Sequence, residues 1–141
     1  MKSIFLAVTI ILFAFTACEK QNATATTPLN EMVDLGTASN TKTGMFINGP
    51  FGVVSGTARI YITEGKHRLA LENITTSNGP DLHVYLSKEI YPIKFIDLGK
   101  LKSTSGNQVY DVSGMPNYAD YKYALIHCQQ YDHLFGSAEL K

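Results

Sequence analysis

The sequence predicts an all-β domain, an antiparallel β-sandwich or flattened barrel of about seven to nine short strands. Three observations carry the prediction. Eight Tyr and seven Phe accompany 11 Gly and 5 Pro in 141 residues without Trp, a balance that favours pleated strands and turns over helical bundles. From residue 43 onward, apolar and polar residues alternate in short runs, the period at which successive side chains leave opposite faces of a strand. Clusters such as Ser77-Asn-Gly-Pro-Asp81 punctuate those runs and end strands by supplying turn conformations.

The first 17 residues stand apart. Lys2 precedes an apolar run from Ile4 to Phe15, interrupted only by Thr9 and followed by Thr16, Ala17 and Cys18. A charged start, a short apolar stretch and small residues at its end read as a signal peptide over residues 1–17. The run is shorter than the roughly 20 residues needed to cross a bilayer core of about 30 Å, and it lacks the polar face of a half-buried helix. Phe15-Thr-Ala-Cys18 resembles the lipobox of bacterial lipoproteins, with Phe15 where Leu is most usual. That resemblance implies a lipidated Cys18 that anchors the mature chain to a membrane, in the bacterial cell envelope and facing the periplasm or the exterior. Residues 18–42 are rich in Thr, Ala, Asn and Gln, with Met32, Val33 and Leu35 as the one apolar cluster. They read as a flexible tether. Residues 43–141 are the β-domain, expected to fold without it.

Within the domain, residues 57–63 alternate Ala58, Ile60 and Ile62 with Arg59 and Tyr61, and Glu64-Gly-Lys66 offers a tight hairpin into residues 67–72. Residues 82–87 alternate Leu82, Val84 and Leu86 with His83, Tyr85 and Ser87. They follow the turn of Gly79, Pro80 and Asp81, where the Asp81 carboxylate is expected to cap the turn by accepting backbone N–H bonds. Residues 95–101 and 108–112 flank Ser103-Thr-Ser-Gly-Asn107, a second expected hairpin. Residues 121–128 set Ala124, Ile126 and Cys128 on one face and Tyr123, Leu125 and His127 on the other. Both faces are apolar enough for a central strand. Residues 134–140 complete the sheet.

Nine basic and nine acidic side chains follow Thr43, so neither a nucleic-acid track nor a basic membrane patch is indicated. Two cysteines are too few for a disulfide-dense scaffold or a four-thiolate zinc site. Once Cys18 is lipidated, Cys128 is the remaining thiol. It reads either as a redox thiol or soft ligand to a metal or haem iron, or as a small buried hydrophobe. Among His67, His83, His127 and His133 no pair has helical metal-ligand spacing. His127 and Cys128 adjoin but leave opposite faces of their strand, while His133 is within reach of folding back towards Cys128. No phosphate loop, nucleophile elbow, paired-His zinc motif or calcium loop is present, so no enzyme activity is indicated.

Five ordered blocks then become informative together: Gly52-Val-Val-Ser-Gly-Thr-Ala58, Gly79-Pro-Asp-Leu-His-Val-Tyr-Leu-Ser87, Leu98-Gly-Lys-Leu-Lys102, Gly106-Asn-Gln-Val-Tyr110, and Cys128 followed by Phe135-Gly-Ser-Ala138. Over residues 44–140 they resemble the electron-transfer DM-thirteen domain family, known from Skeletor-type proteins. The resemblance implies an all-β extracytoplasmic domain whose single cysteine is proposed to act in redox chemistry, as a bare thiol or by holding a prosthetic group such as haem. Cys128 carries that role here, with a redox partner protein implied, and His133 is the candidate second ligand. The residue before the cysteine is typically aromatic in the family, whereas here it is His127. The competing reading is a tethered, non-catalytic module that binds a protein or glycan through loops such as residues 113–120, with Met115, Pro116 and Tyr118.

Overall fold

The computed structural model describes residues 23–141, which form nine strands and no helix. In chain order these are β1 (Leu29–Asn30), β2 (Ser39–Asn48), β3 (Val54–Thr63), β4 (Lys66–Thr76), β5 (Leu82–Ser87), β6 (Phe95–Lys100), β7 (Ser105–Val112), β8 (Tyr123–Cys128) and β9 (His133–Glu139). They hydrogen-bond in the order β1-β7-β4-β3-β2-β9-β8-β5-β6, antiparallel throughout except for the β1–β7 pair. The sheet curls into a half-barrel, so the all-β, flattened-barrel expectation is correct.

One strand makes the curl. The first part of β2 pairs with β3, up to Met45 opposite Thr57, and its last three residues pair with β9, Phe46 meeting Ala138. At the changeover a Cβ on Gly44 would collide with the Glu139 backbone, so a residue without a side chain is what lets the two strands close up. Thr43 and Lys141 exchange both backbone bonds there, at 3.1 and 2.9 Å.

The two halves face each other across one core. Ala58, Ile60, Leu69, Leu71, Ile74, Tyr110 and Val112 come from one half, and Leu82, Val84, Leu86, Ala124, Ile126, Cys128, Phe135 and Ala138 from the other. These are the inward members of the alternating runs, and each buried aliphatic side chain contributes roughly 1.5–3 kcal/mol through area removed from water.

The expected hairpin at residues 103–107 is not one. β6 pairs with β5 and β7 pairs with β4, so the segment between them crosses from one half of the sheet to the other. Gln108, fully buried, holds the crossing. Its Oε1 accepts from Lys102 N, Ser103 N and the Tyr110 hydroxyl at 3.1, 3.2 and 2.8 Å, and its Nε2 donates to Ser103 O at 2.6 Å. A buried amide so fully bonded fixes the chain where a short turn would have left its polar atoms unmatched.

The segment read as a flexible tether is, from Ala23 onward, a docked strap. Ala23 bridges Pro80. The carbonyls of Thr24, Ala25 and Thr27 accept from Asn78 Nδ2, Thr104 N and Ser103 Oγ at 3.1, 2.8 and 2.6 Å. β1 runs parallel to β7, Glu31 Oε2 accepts from Val109 N and Lys102 Nζ at 2.8 and 2.7 Å, and Val33 packs on Tyr61 and Ala70. The long strand β2 also begins four residues before the expected boundary at Thr43. Composition underestimates such a segment because its attachment is made mostly by main-chain groups, which every residue carries. A chain starting at Thr43 would strip the cover from Tyr61 and Ala70. The signal segment and Cys18 lie outside the described residues.

Candidate functional site

Cys128 ends β8 on its inner face, opposite Leu82 of β5 and His133 of β9. It is 1% exposed, and its thiol donates to the carbonyl of Pro80 at 2.9 Å. Pro80 itself is exposed, so one turn separates the sulfur from solvent. That turn is firmly placed: Gln129 N donates to Asp81 O at 3.0 Å, and Gly79 rests against the Phe135 ring, which a Cβ would strike.

Three turns meet at this end of the domain. Residues 49–53 are tied to residues 77–81 by Ser77 N donating to Val53 O at 2.9 Å and Val53 N donating to Ser77 Oγ at 3.1 Å. Phe51 joins the third turn, residues 129–133, by lying flat on the His133 ring at 3.7 Å between centroids. His133 therefore stands opposite Cys128 across the ladder, yet its ring is engaged by Phe51 and, at 5.9 Å, by Tyr131.

The outer face of β5 and β8 carries a polar and aromatic cluster. His83 and His127 are direct cross-strand neighbours. His83 Nδ1 lies 2.9 and 3.0 Å from the two Asp97 carboxylate oxygens, and its Nε2 lies 3.4 Å from Asp81 Oδ1. Asp81 also meets Lys100 Nζ at 3.3 Å, so its carboxylate serves the side chains of this face and does not cap the turn. The turn's side-chain bond comes from Asn78, whose Oδ1 accepts from Gly79 N at 2.8 Å. His127 Nε2 lies 3.2 Å from Asp132 Oδ1, while its buried Nδ1 has no partner. Tyr85 stacks between Phe95 and His127 at 4.3 and 5.3 Å. Burial, with the Asp97 charge adding, pushes its phenol up to about 12, so it stays protonated. Asp97 and Asp132 are the members that sequence reasoning missed, since only strand register brings them to these histidines.

Burial lowers the His127 pKa below its ordinary value; Asp132 opposes this, and His133 and His83 add to it. Such a ring takes up a proton more readily in the unfolded chain. Its contribution to stability is therefore full above about pH 6.5 and is lost as the pH falls from there towards the folded pKa. His127→Phe keeps a ring beside Tyr85 and removes the titration, so its melting temperature should fall less than that of the parent between about pH 7 and pH 5. Superimposable pH profiles would remove His127 from the account.

The loop of residues 113–120 is mostly exposed, with Tyr118 turned inward. Tyr118 bonds His67 Nδ1 through its hydroxyl at 2.7 Å, and Tyr118 and Tyr121 pack on the core. Met115 is the exposed large apolar side chain it offers.

The profile of one family, described as Electron transfer DM13, matches residues 46–140. The chain belongs to the DM13 family. No curated protein and no solved structure matches it significantly. The DM13 span starts where β2 changes partner and contains all three turns, the His–Asp cluster and Cys128. The strap falls outside that span.

Proposed function

We propose that this DM13 protein is an electron-transfer or redox-sensing domain of the cell envelope, held at the membrane by a lipidated Cys18, and that its redox group is the bare thiol of Cys128. The observation that supports it most is the position of that thiol within the family span, buried yet bonded directly to the backbone of an exposed turn. Thiol–disulfide exchange needs an attacking group to reach the sulfur; electron exchange with a docked redox partner protein does not. The closed arrangement therefore favours electron exchange or slow redox sensing.

Haem does not fit. Cys128 is packed among core side chains, and two surface pockets, of about 220 and 400 Å³, are lined by other residues. Among the described residues no three His, Cys, Asp or Glu side chains converge to hold a metal ion.

Treatment of the full chain with hydrogen peroxide should slowly convert the Cys128 thiol to a sulfenic acid, the peroxide being reduced to water. Dithiothreitol should restore the thiol as it is itself oxidised to its disulfide, both steps being followed by unfolding and thiol counting. A thiol that stays reduced throughout would remove the redox role, and a haem absorption band lost in Cys128→Ser would reinstate a prosthetic group. Cys128→Ser is a usable control, because the hydroxyl can still donate to Pro80 O and the stability cost should stay near 1 kcal/mol.

A further inference from the structure

We propose that the end of the domain carrying Phe51, Val53 and Tyr131 lies against a lipid bilayer, so that the turns covering Cys128 sit at the membrane interface. The proposal rests on the anchor reading above, and it follows from the strap. A tether running from Cys18 to Lys42 would let the domain wander, at about 3.3–3.6 Å per residue, some 80 Å from its anchor. The strap removes that freedom. The chain is held from Ala23 onward, and the five residue steps between Cys18 and Ala23 span at most about 18 Å.

Ala23 sits on Pro80, and Thr24 is bonded to Asn78. The membrane is therefore nearest to the three turns that meet there. Those turns expose Phe51, Val53 and Tyr131 at 53%, 65% and 57%. Aromatic and aliphatic side chains on turns partition into the interface, where such groups enter to a depth of about 5–10 Å. Another exposed apolar loop, with Ile90, Tyr91 and Ile93, lies at the far end of β5, roughly 20 Å away at about 3.3 Å per residue. A short anchor holds that loop off the surface. Asp132 lies beside His127 and Lys100 beside Asp81, so this end presents no cluster of one charge and a zwitterionic surface fits it.

The absence of Trp from the protein gives a direct test. The full lipidated chain, reconstituted into phosphatidylcholine vesicles with and without brominated acyl chains, is compared as Phe51→Trp, Tyr131→Trp and Ile93→Trp. Brominated lipid should quench the first two by about twofold or more and leave the third unchanged; Tyr131→Trp stands in if Phe51→Trp disturbs the stack on His133. Vesicle flotation with no quenching of the first two, or with stronger quenching of Ile93→Trp, overturns the docking while leaving the anchor intact. Failure to float, matched by Cys18→Ala, overturns both. Cross-linking of two copies through photoreactive residues placed at positions 51 and 131, in place of quenching, overturns the lipid surface in favour of a second copy. A failed redox test at Cys128 would leave all these outcomes readable.

Discussion

Ile126→Ala is expected to lower the unfolding free energy by about 2–5 kcal/mol, a large part of the roughly 5–15 kcal/mol that holds a domain of this size together. Ile126 is fully buried, is paired with Val84 on one neighbouring strand and Gly136 on the other, and belongs to the core shared by the two halves. The cavity left behind cannot collapse easily, because Gly136 already approaches Val54 and the backbone of Ile47 so closely that it has no room for a Cβ. Urea melts of the parent, Ile126→Ala and Ile93→Ala would measure this. Ile93 is 77% exposed, and its truncation should change stability by less than about 0.5 kcal/mol. Equal effects at the two positions would mean that the halves do not pack as described.

Gly106→Val should detach the strap while leaving the β2–β9 body folded. Gly106 has φ +98, a conformation that costs a β-branched residue of the order of 1–3 kcal/mol. A Cβ there would also meet the backbone of Leu29, its oxygen first, and no rotamer change relieves a clash with main chain. Loss of the β1–β7 pairing takes with it the Glu31 bonds to Val109 and Lys102. Proteolysis within residues 24–38 and faster amide exchange at Glu31 and Val109 should follow, with the β-type circular dichroism retained. Unchanged protection of Glu31 would show that the strap does not depend on this contact. With the strap free, the distance allowed between anchor and domain grows several-fold, and quenching of Phe51→Trp by brominated lipid should fall with it.

The strands that could be read from the sequence are those whose two faces differ. Residues 82–87 form β5 with the predicted bounds, because Leu82, Val84 and Leu86 alternate cleanly after the Gly79-Pro80 turn. β8 shows its central position through the burial of both faces. β2 was missed, since few of its ten residues are buried and Gly44 interrupts the pattern at the point where the strand changes partner. The hairpin assigned to residues 103–107 failed for a different reason: local turn chemistry says nothing about which distant strand each arm joins. The same division runs through the site. The inward placement of Cys128 and the outward one of His127 follow from alternation alone. The pairing of His83 with Asp97, and of His127 with Asp132, depends on register and on a turn, which one strand's sequence does not contain.

The double allegiance of β2 also sets the order in which the molecule can be finished. Met45 pairs with a strand that follows almost at once, whereas Phe46 waits for Ala138, near the other end of the chain. The β3–β4 hairpin, closed by Glu64 and Gly65, can form early because little chain entropy is lost in bringing its arms together. The β2–β9 seam requires nearly the whole chain. Folding should therefore fall in the slow range of β-rich proteins, on the order of milliseconds to seconds. During synthesis from the N-terminus, the core stays open along that seam until the final strand arrives.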